Sequence, residues 1–248
     1  MAEMRIRLEK QVQITGKMIC VTGLTIGTGD VFGIGGIDKE MIRTGRDNQP
    51  YIPGSSLKGK MRHLFELMHD ENPVAADGTP HSCKDVKCAI CRIFGAGDSE
   101  NSVPGRGPTR LIVRDAYLET DSAVATEYKR RTGQYVEVKA ENVINRLDGQ
   151  AMPRRFERVP KGMEFRFDLV YRWFTITNGE ETYCGEPEAK ADINGILDAL
   201  LYVQRDYLGA SGSRGYGKVK FLLKPTNDEM VNAWLEAKIN PDIGLDWE

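Results

Sequence analysis

From Met163 to Arg172 the chain alternates: Met163, Phe165, Phe167, Leu169 and Tyr171 fall on one parity, and Glu164, Arg166, Asp168, Val170 and Arg172 on the other. A period of two buries one set and leaves a charged opposite face, so the segment is a predicted strand. Leu8, Val12, Ile14, Met18 and Cys20 share a parity in the same way and predict a first strand ending near Val21. Between them the period changes. After the Pro53-Gly54 turn signal, Leu57, Met61, Leu64, Phe65 and Met68 recur at helical spacing, with Ser55 or Ser56 placed to cap the first amides. Arg110 to Leu118 reads as a second strand, Ile193 to Gln204 as a second helix and Val219 to Leu223 as a last strand. Strand, helix, strand, strand, helix, strand is the α+β, ferredoxin-like order, in which two helices cover one face of an antiparallel sheet. It is interrupted by insertions before residue 110 and from about 119 to 160.

A chain of 248 residues with 40% apolar content can bury a substantial core. Its net charge of -2 excludes gripping nucleic acid by bulk charge but leaves room for a local groove. From Thr126 to Arg172 there are 11 Lys and Arg against 7 Asp and Glu, a local balance of +4. No apolar run is long enough to span a membrane and no secretory core opens the chain, so a cytoplasmic protein with no membrane partner is expected. Five cysteines in that setting are not a disulfide framework.

The chemistry concentrates in four places. The glycine-spaced loop from Gly33 carries one acid, Asp38, which is either a turn-forming side chain or a reactive carboxylate. In the first turns of the Ser55 helix, Lys58, Lys60 and Arg62 gather where the dipole favours anions. They are either solvated lysines and arginine or, with the helix amides, a phosphate site. His81, Cys83, Cys88 and Cys91 form HxCxxxxCxxC, one imidazole and three thiols at a spacing close to that of structural zinc sites; they are either a filled tetrahedral shell that staples an insertion or three unligated cysteines in a loop, and the first is expected. The second insertion mixes apolar residues with Lys139, Asn142, Arg146, Arg154, Arg155 and Arg158, and Asp148-Gly149 can turn it into a long hairpin. Such an arm can straddle a phosphate backbone, pack on its own sheet or meet another protein. GASGSRGYGKVKF, from Gly209 to Phe221, offers Ser213, Arg214 and Gly215 in a loop that can cradle phosphate but lacks the order of a nucleotide-binding loop.

Together these stretches resemble the backbone subunits of type III CRISPR interference complexes, of the III-A (Csm) kind with the III-D branch close by. The matching segments are GIGGIDKEMIR, YIPGSSLKGKMR, the Cys/His cluster with RIFG from Arg92, RLIVRDA from Arg110, VKAENVINRLDGQAMPRRFERVP and SGSRGYGKV, spread over nearly the whole chain. The resemblance implies one ferredoxin-like (RRM-like) palm over 1–248, a zinc-binding insertion at 70–108 and a thumb-like basic hairpin at 119–160. It implies guide and target RNA, further copies of the chain and other effector subunits as partners. It makes Asp38 the carboxylate of the target-cleavage loop, acting with a divalent cation, Mg or Mn. Ser55, Ser56, Lys58, Lys60, Arg62, Lys139, Asn142, Arg154, Arg155, Arg158, Ser213, Arg214 and Gly215 then become the RNA contacts. A purely structural filament subunit is the other reading.

Overall fold

The structure, a computed structural model, describes residues 4–27, 37–69, 77–96, 103–178, 181–224 and 226–238. Gly33 to Gly36 of the glycine-spaced loop, and 70–76 and 97–102 of the first insertion, lie outside the described residues. The fold is α+β and its sheets are antiparallel.

Two long strands form the spine. β1 (Met4–Cys20) pairs along its length with β7 (Glu164–Asn178), joining Val12 to Tyr171, Ile14 to Leu169 and Met18 to Phe165. These side chains are all within 2% of full burial. β9 (Val219–Leu223) closes the other edge of β1. On the far side of β7 lie β3 (Leu111–Val113) and β4 (Ala116–Leu118), and β2 (Tyr51–Ile52) pairs with β4. The two-residue strand β8 (Glu181–Thr182) finishes the end of β7. The sheet path is therefore β2-β4-β7-β1-β9, with seven strands in all.

One face carries α1 (Gly54–Met68) and α4 (Glu186–Arg205), whose Leu57, Met61, Phe65, Ile193, Ile196, Leu197 and Leu200 enter the same core as the β1 and β7 residues. The other face keeps the charged parity and satisfies it in pairs: Lys17 with Glu164 at 2.9 Å, Arg114 with Asp168 at 3.1 Å, Arg166 with Glu119 at 2.5 Å. Such surface pairs contribute about 0–1 kcal/mol each and mainly keep the face soluble.

Several expectations change in detail. Leu8 does not share the Val12 face, because the register slips between Leu8 and Lys10 and the extra residue, Glu9, turns the strand, leaving Leu8 45% exposed. The single strand expected over Arg110 to Leu118 is two, separated by Arg114 and Asp115. Neither Ser55 nor Ser56 caps α1; the helix starts at Gly54, and Asp115 Oδ1 accepts the Gly54 amide proton at 2.8 Å. An acid from the break between β3 and β4 thus holds the positive end of the helix. Met68, expected on the buried face, is 59% exposed.

The second insertion opens with a helix the apolar pattern did not reveal, α3 (Ala123–Thr132), capped by Ser122 and ended by Gly133 at φ 76°. The Lys129–Arg131 run therefore sits on the last turn of α3, where the dipole favours cations, and not on the hairpin. Then follow β5 (Glu137–Ile144) and β6 (Ala151–Arg158), an isolated two-stranded hairpin whose loop turns at Gly149, φ 72°. α2 (Ala89–Phe94) carries Cys91 and buries Ile90, Ile93 and Phe94 in the main core, so the first insertion is not a separate knuckle. A last helix, α5 (Glu229–Lys238), packs on α4. Among the described residues no helix is long and apolar enough to cross a membrane.

Candidate functional site

The segment beginning at Asp38 is laid against the root of the hairpin. The Asp38 amide donates to the Arg155 carbonyl at 2.8 Å, and the Arg155 amide donates back to Asp38 Oδ2 at 2.7 Å. One step on, the Glu157 amide donates to the Lys39 carbonyl at 2.9 Å. The Glu157 side chain is nearly buried and accepts from the Met41 amide at 3.1 Å and from Arg43 at 2.6 Å. A carboxylate is tolerated there because both its oxygens find charged or amide donors. Asp38 is half-buried, and its Oδ1 has no partner among the described residues. Its side chain is thus a fixed carboxylate with one oxygen committed to the fold and one available.

Beside this root the hairpin and the glycine-rich loop enclose a groove of about 860 Å³, lined by Glu141, Asn142, Val143, Ile144, Arg146, Arg154, Phe156 and Arg214. Three guanidiniums face one carboxylate there, among apolar side chains. The groove collects Asn142, Arg154 and Arg214 from the expected RNA contacts together with Arg146 of the same basic insertion, and adds Phe156. Arg154 and Arg155 are exposed, and their guanidiniums have no partner among the described residues.

Two further basic residues of the hairpin, Lys139 and Arg158, are engaged. Tyr216, 3% exposed, donates to Glu141 Oε1 at 2.6 Å, with the Lys139 ammonium 4.5 Å and the Arg158 guanidinium 5.1 Å from its ring. Lys139 also pairs with Glu141 at 3.0 Å, Arg214 with Glu141 at 3.4 Å, and Arg158 with Glu137 at 2.5 Å. The Tyr216 hydroxyl first and the Lys139 ammonium second hold the Glu141 carboxyl below the usual carboxylate range. Glu141, which carried no sequence signal, is the clamp that joins hairpin to loop.

The loop itself is stitched to the end of β1. Leu208 donates to Gly217 O at 2.8 Å, Gly217 to Gly23 O at 2.9 Å and Ala210 to Thr25 O at 2.9 Å. Ser213, Arg214 and Gly215 are its exposed tip. Gly217 has φ +75°, and a Cβ on it would lie 2.0 Å from the Leu208 carbonyl oxygen. Gly217→Ala should therefore cost about 1–3 kcal/mol for the conformation alone, read as a lower denaturation midpoint in urea. An unchanged midpoint would mean that the loop is not built on this turn.

The cations of α1 are not an open cluster. Lys58 donates to the Leu111 carbonyl at 2.9 Å, and burial first, then Arg62 and Arg172, push its pKa down. Lys60 pairs with Asp206 at 2.6 Å and lies 3.9 Å from the centre of the Tyr207 ring. Arg62 pairs with Glu66 at 2.7 Å and donates to the His81 carbonyl at 2.5 Å. Ser55 is exposed and Ser56 half-buried. None of these five lines the groove.

The four side chains of the Cys/His motif do converge. The ligand atoms of His81, Cys83, Cys88 and Cys91 lie within 4.8 Å of one another, with Cys83 Sγ to Cys91 Sγ at 3.9 Å and Cys88 Sγ to His81 Nε2 at 3.5 Å. A tetrahedral ion with metal–sulfur bonds of about 2.3 Å separates its sulfurs by about 3.8 Å, so the cluster can hold a metal. The hydrogen bond to Cys91 and then burial push the Cys88 thiol up to about 12, and that bond lowers Cys91. Three thiols this close cannot all ionise without a cation among them. The remaining cysteines, Cys20 and Cys184, are buried elsewhere.

The RAMP superfamily model matches residues 17–220. A protein of Methanothermobacter thermautotrophicus named CRISPR system Cms endoribonuclease Csm3 is 40% identical over 228 residues, 87% of this chain and 85% of that protein. A protein of the same name from Mycobacterium tuberculosis is 40% identical over 216 residues, 85% and 86% of the two chains. Among solved structures, Csm3 of Methanopyrus kandleri aligns with TM-score 0.56 at 26% identity, covering 86% of this chain and 75% of that one.

Proposed function

This chain belongs to the RAMP superfamily, as a backbone subunit of the type III Csm kind, and on that premise we propose that it holds a CRISPR guide RNA and cleaves complementary target RNA within the assembled effector complex. The observation that carries the proposal is the Asp38 carboxylate, fixed by the Arg155 amide at the root of a basic hairpin, beside a groove that Arg146, Arg154 and Arg214 line. The core strand order β4-β7-β1-β9, with α1 and α4 as the crossovers, is read as a ferredoxin-like palm, and β5–β6 as its thumb. The partners are guide and target RNA, further copies of the chain and the other effector subunits, in a cytoplasmic ribonucleoprotein. The Cys/His cluster is read as a structural zinc site: its four ligands fill the shell and leave no place for substrate water.

The reaction needs little from the protein beyond placement. RNA carries its own nucleophile, the 2'-hydroxyl, which attacks the adjacent phosphorus while the bond to the 5'-oxygen breaks. Both oxygens and the phosphorus must approach a line. Exposed Ile144, Leu147 and Met152 on the hairpin offer an apolar wedge that splays a nucleotide out of its stack, and Arg154 and Arg214 hold the flanking phosphates. Asp38 fits a hard divalent cation, since Oδ2 stays on the Arg155 amide while Oδ1 is left to ligate. Bound there, Mg or Mn would neutralise charge gathering on the phosphate. The guide supplies sequence recognition by pairing, and the protein reads backbone and shape.

The proposal is tested by giving the assembled complex a complementary and a scrambled RNA. Only the first should be cut, and an intact complementary strand would reduce the chain to a filament subunit. Arg154→Ala combined with Arg214→Ala should weaken RNA binding across sequences and lower the salt slope of log K by about 1 for each phosphate contact removed. An unchanged slope would take both arginines out of the RNA interface.

A further inference from the structure

The ligand segment of the Cys/His cluster is held by guanidiniums from three separate parts of the chain. Arg62 donates to the His81 carbonyl, and Arg106 to the carbonyls of Cys83 and Asp85. Arg92, one residue past the ligand Cys91, donates from Nη1 to the Lys87 carbonyl at 2.8 Å, on the peptide that leads into the ligand Cys88.

Arg92 differs from the other two in what stands behind it. Its Nε lies 2.9 and 3.1 Å from the two Asp192 oxygens, and its Nη2 also donates to Oδ1. Asp192, on α4, is 0% exposed and also accepts from Arg110 at 3.1 Å and from the Tyr171 hydroxyl at 2.8 Å. A guanidinium forked on a buried carboxylate has lost its rotamer freedom, so its remaining N–H is a donor fixed in the frame of the core. The Lys87 carbonyl it binds sets the plane of the peptide before Cys88, and Arg92 itself continues the helix that carries Cys91.

We propose that Arg92, anchored by Asp192, is a positioning residue of the metal site, fixing the Cys88 and Cys91 ligand pair to the protein core. The proposal rests on reading the cluster as a zinc site. Such partners behind the ligands typically tune affinity 10–100-fold when removed, because ligands that must reorganise release the ion more readily.

The test uses the full chain loaded with zinc, the rate of zinc transfer to a colorimetric chelator, and the near-ultraviolet thiolate band of the cobalt-substituted protein. Arg92→Met should release zinc about 10–100-fold faster and shift the cobalt band. Arg92→Lys keeps the charge opposite Asp192 but not the second planar donor, so it should fold and still release faster, which covers the case in which Arg92→Met fails to fold. The Arg110 guanidinium also contacts Asp192 but no ligand peptide, so Arg110→Met should melt at lower temperature while releasing zinc at the wild-type rate. Wild-type rates in both Arg92 variants would overturn the positioning role and leave the zinc site standing. Equal acceleration by the Arg92 and Arg110 variants would overturn it as mere loosening. A wild-type chain that retains no zinc would instead overturn the zinc reading beneath it.

Discussion

Asp38→Ala and Asp38→Asn should each slow single-turnover target cleavage by a factor on the order of a hundred or more, with guide and target RNA bound as in the wild type. The two variants separate position from charge. Asn keeps a carbonyl oxygen able to accept from the Arg155 amide, now 2.7 Å from Asp38 Oδ2, so the segment should stay on the hairpin root. Ala loses that bond, worth about 0.5–1.5 kcal/mol of stability. If the charge is what matters, the two should be equally inactive although only Ala is less stable. Binding is expected to survive because Asp38 lies outside the lining of the groove, whose guanidiniums remain to hold the RNA backbone. Loss of guide binding together with cleavage would show that Asp38 is a structural turn residue. Activity in Asp38→Asn would show that hydrogen bonding alone suffices.

The largest effect on stability should come from Asp192→Ala, a loss of about 3–5 kcal/mol in urea unfolding. Asp192 is fully buried, and among the described residues its carboxylate is the only anion paired with Arg92 and Arg110, which are 5% and 1% exposed. Removing it strands two desolvated guanidiniums and the Tyr171 hydroxyl at once. Domains of this kind unfold at about 5–15 kcal/mol, so the variant should be marginal. A loss below about 1 kcal/mol would mean that water reaches both guanidiniums in the folded protein.

What the sequence discloses about this chain follows from the range over which each interaction acts. The Met163–Arg172 alternation reports a strand paired on both sides, so its period is clean and β7 was legible. HxCxxxxCxxC was legible because four ligands within eleven residues must meet whatever surrounds them. Helix α3 was not: Ala125 is its one buried residue, and a helix held by its Ser122 cap and its termini leaves little apolar period to read. The bulge at Glu9 belongs to the pairing with β7 rather than to either strand alone.

The cations show the same limit more sharply. Lys60 meets Asp206, Arg62 meets the His81 carbonyl and Lys58 meets the Leu111 carbonyl, and none of these partners is near in sequence. A local count of charge near α1 sees only an anion site. The amide that such an anion would use is taken by Asp115, from the break between two strands. Conversely Arg154 keeps a guanidinium with no partner among the described residues, as an exposed hairpin arginine should, and Glu141 and Glu157 gained meaning only once the hairpin lay against its neighbours.

Product mapping bears most directly on the nuclease assignment. Wild-type protein, assembled with guide RNA and partner subunits, is given complementary target RNA labelled at one end, with divalent cation withheld and then added. Cuts should appear at regular intervals only after the cation is added, one for each copy along the guide, and all should be missing when every copy carries Asp38→Ala. The same ladder from wild-type and Asp38→Ala complexes, or full target binding with no cut in either, would contradict it.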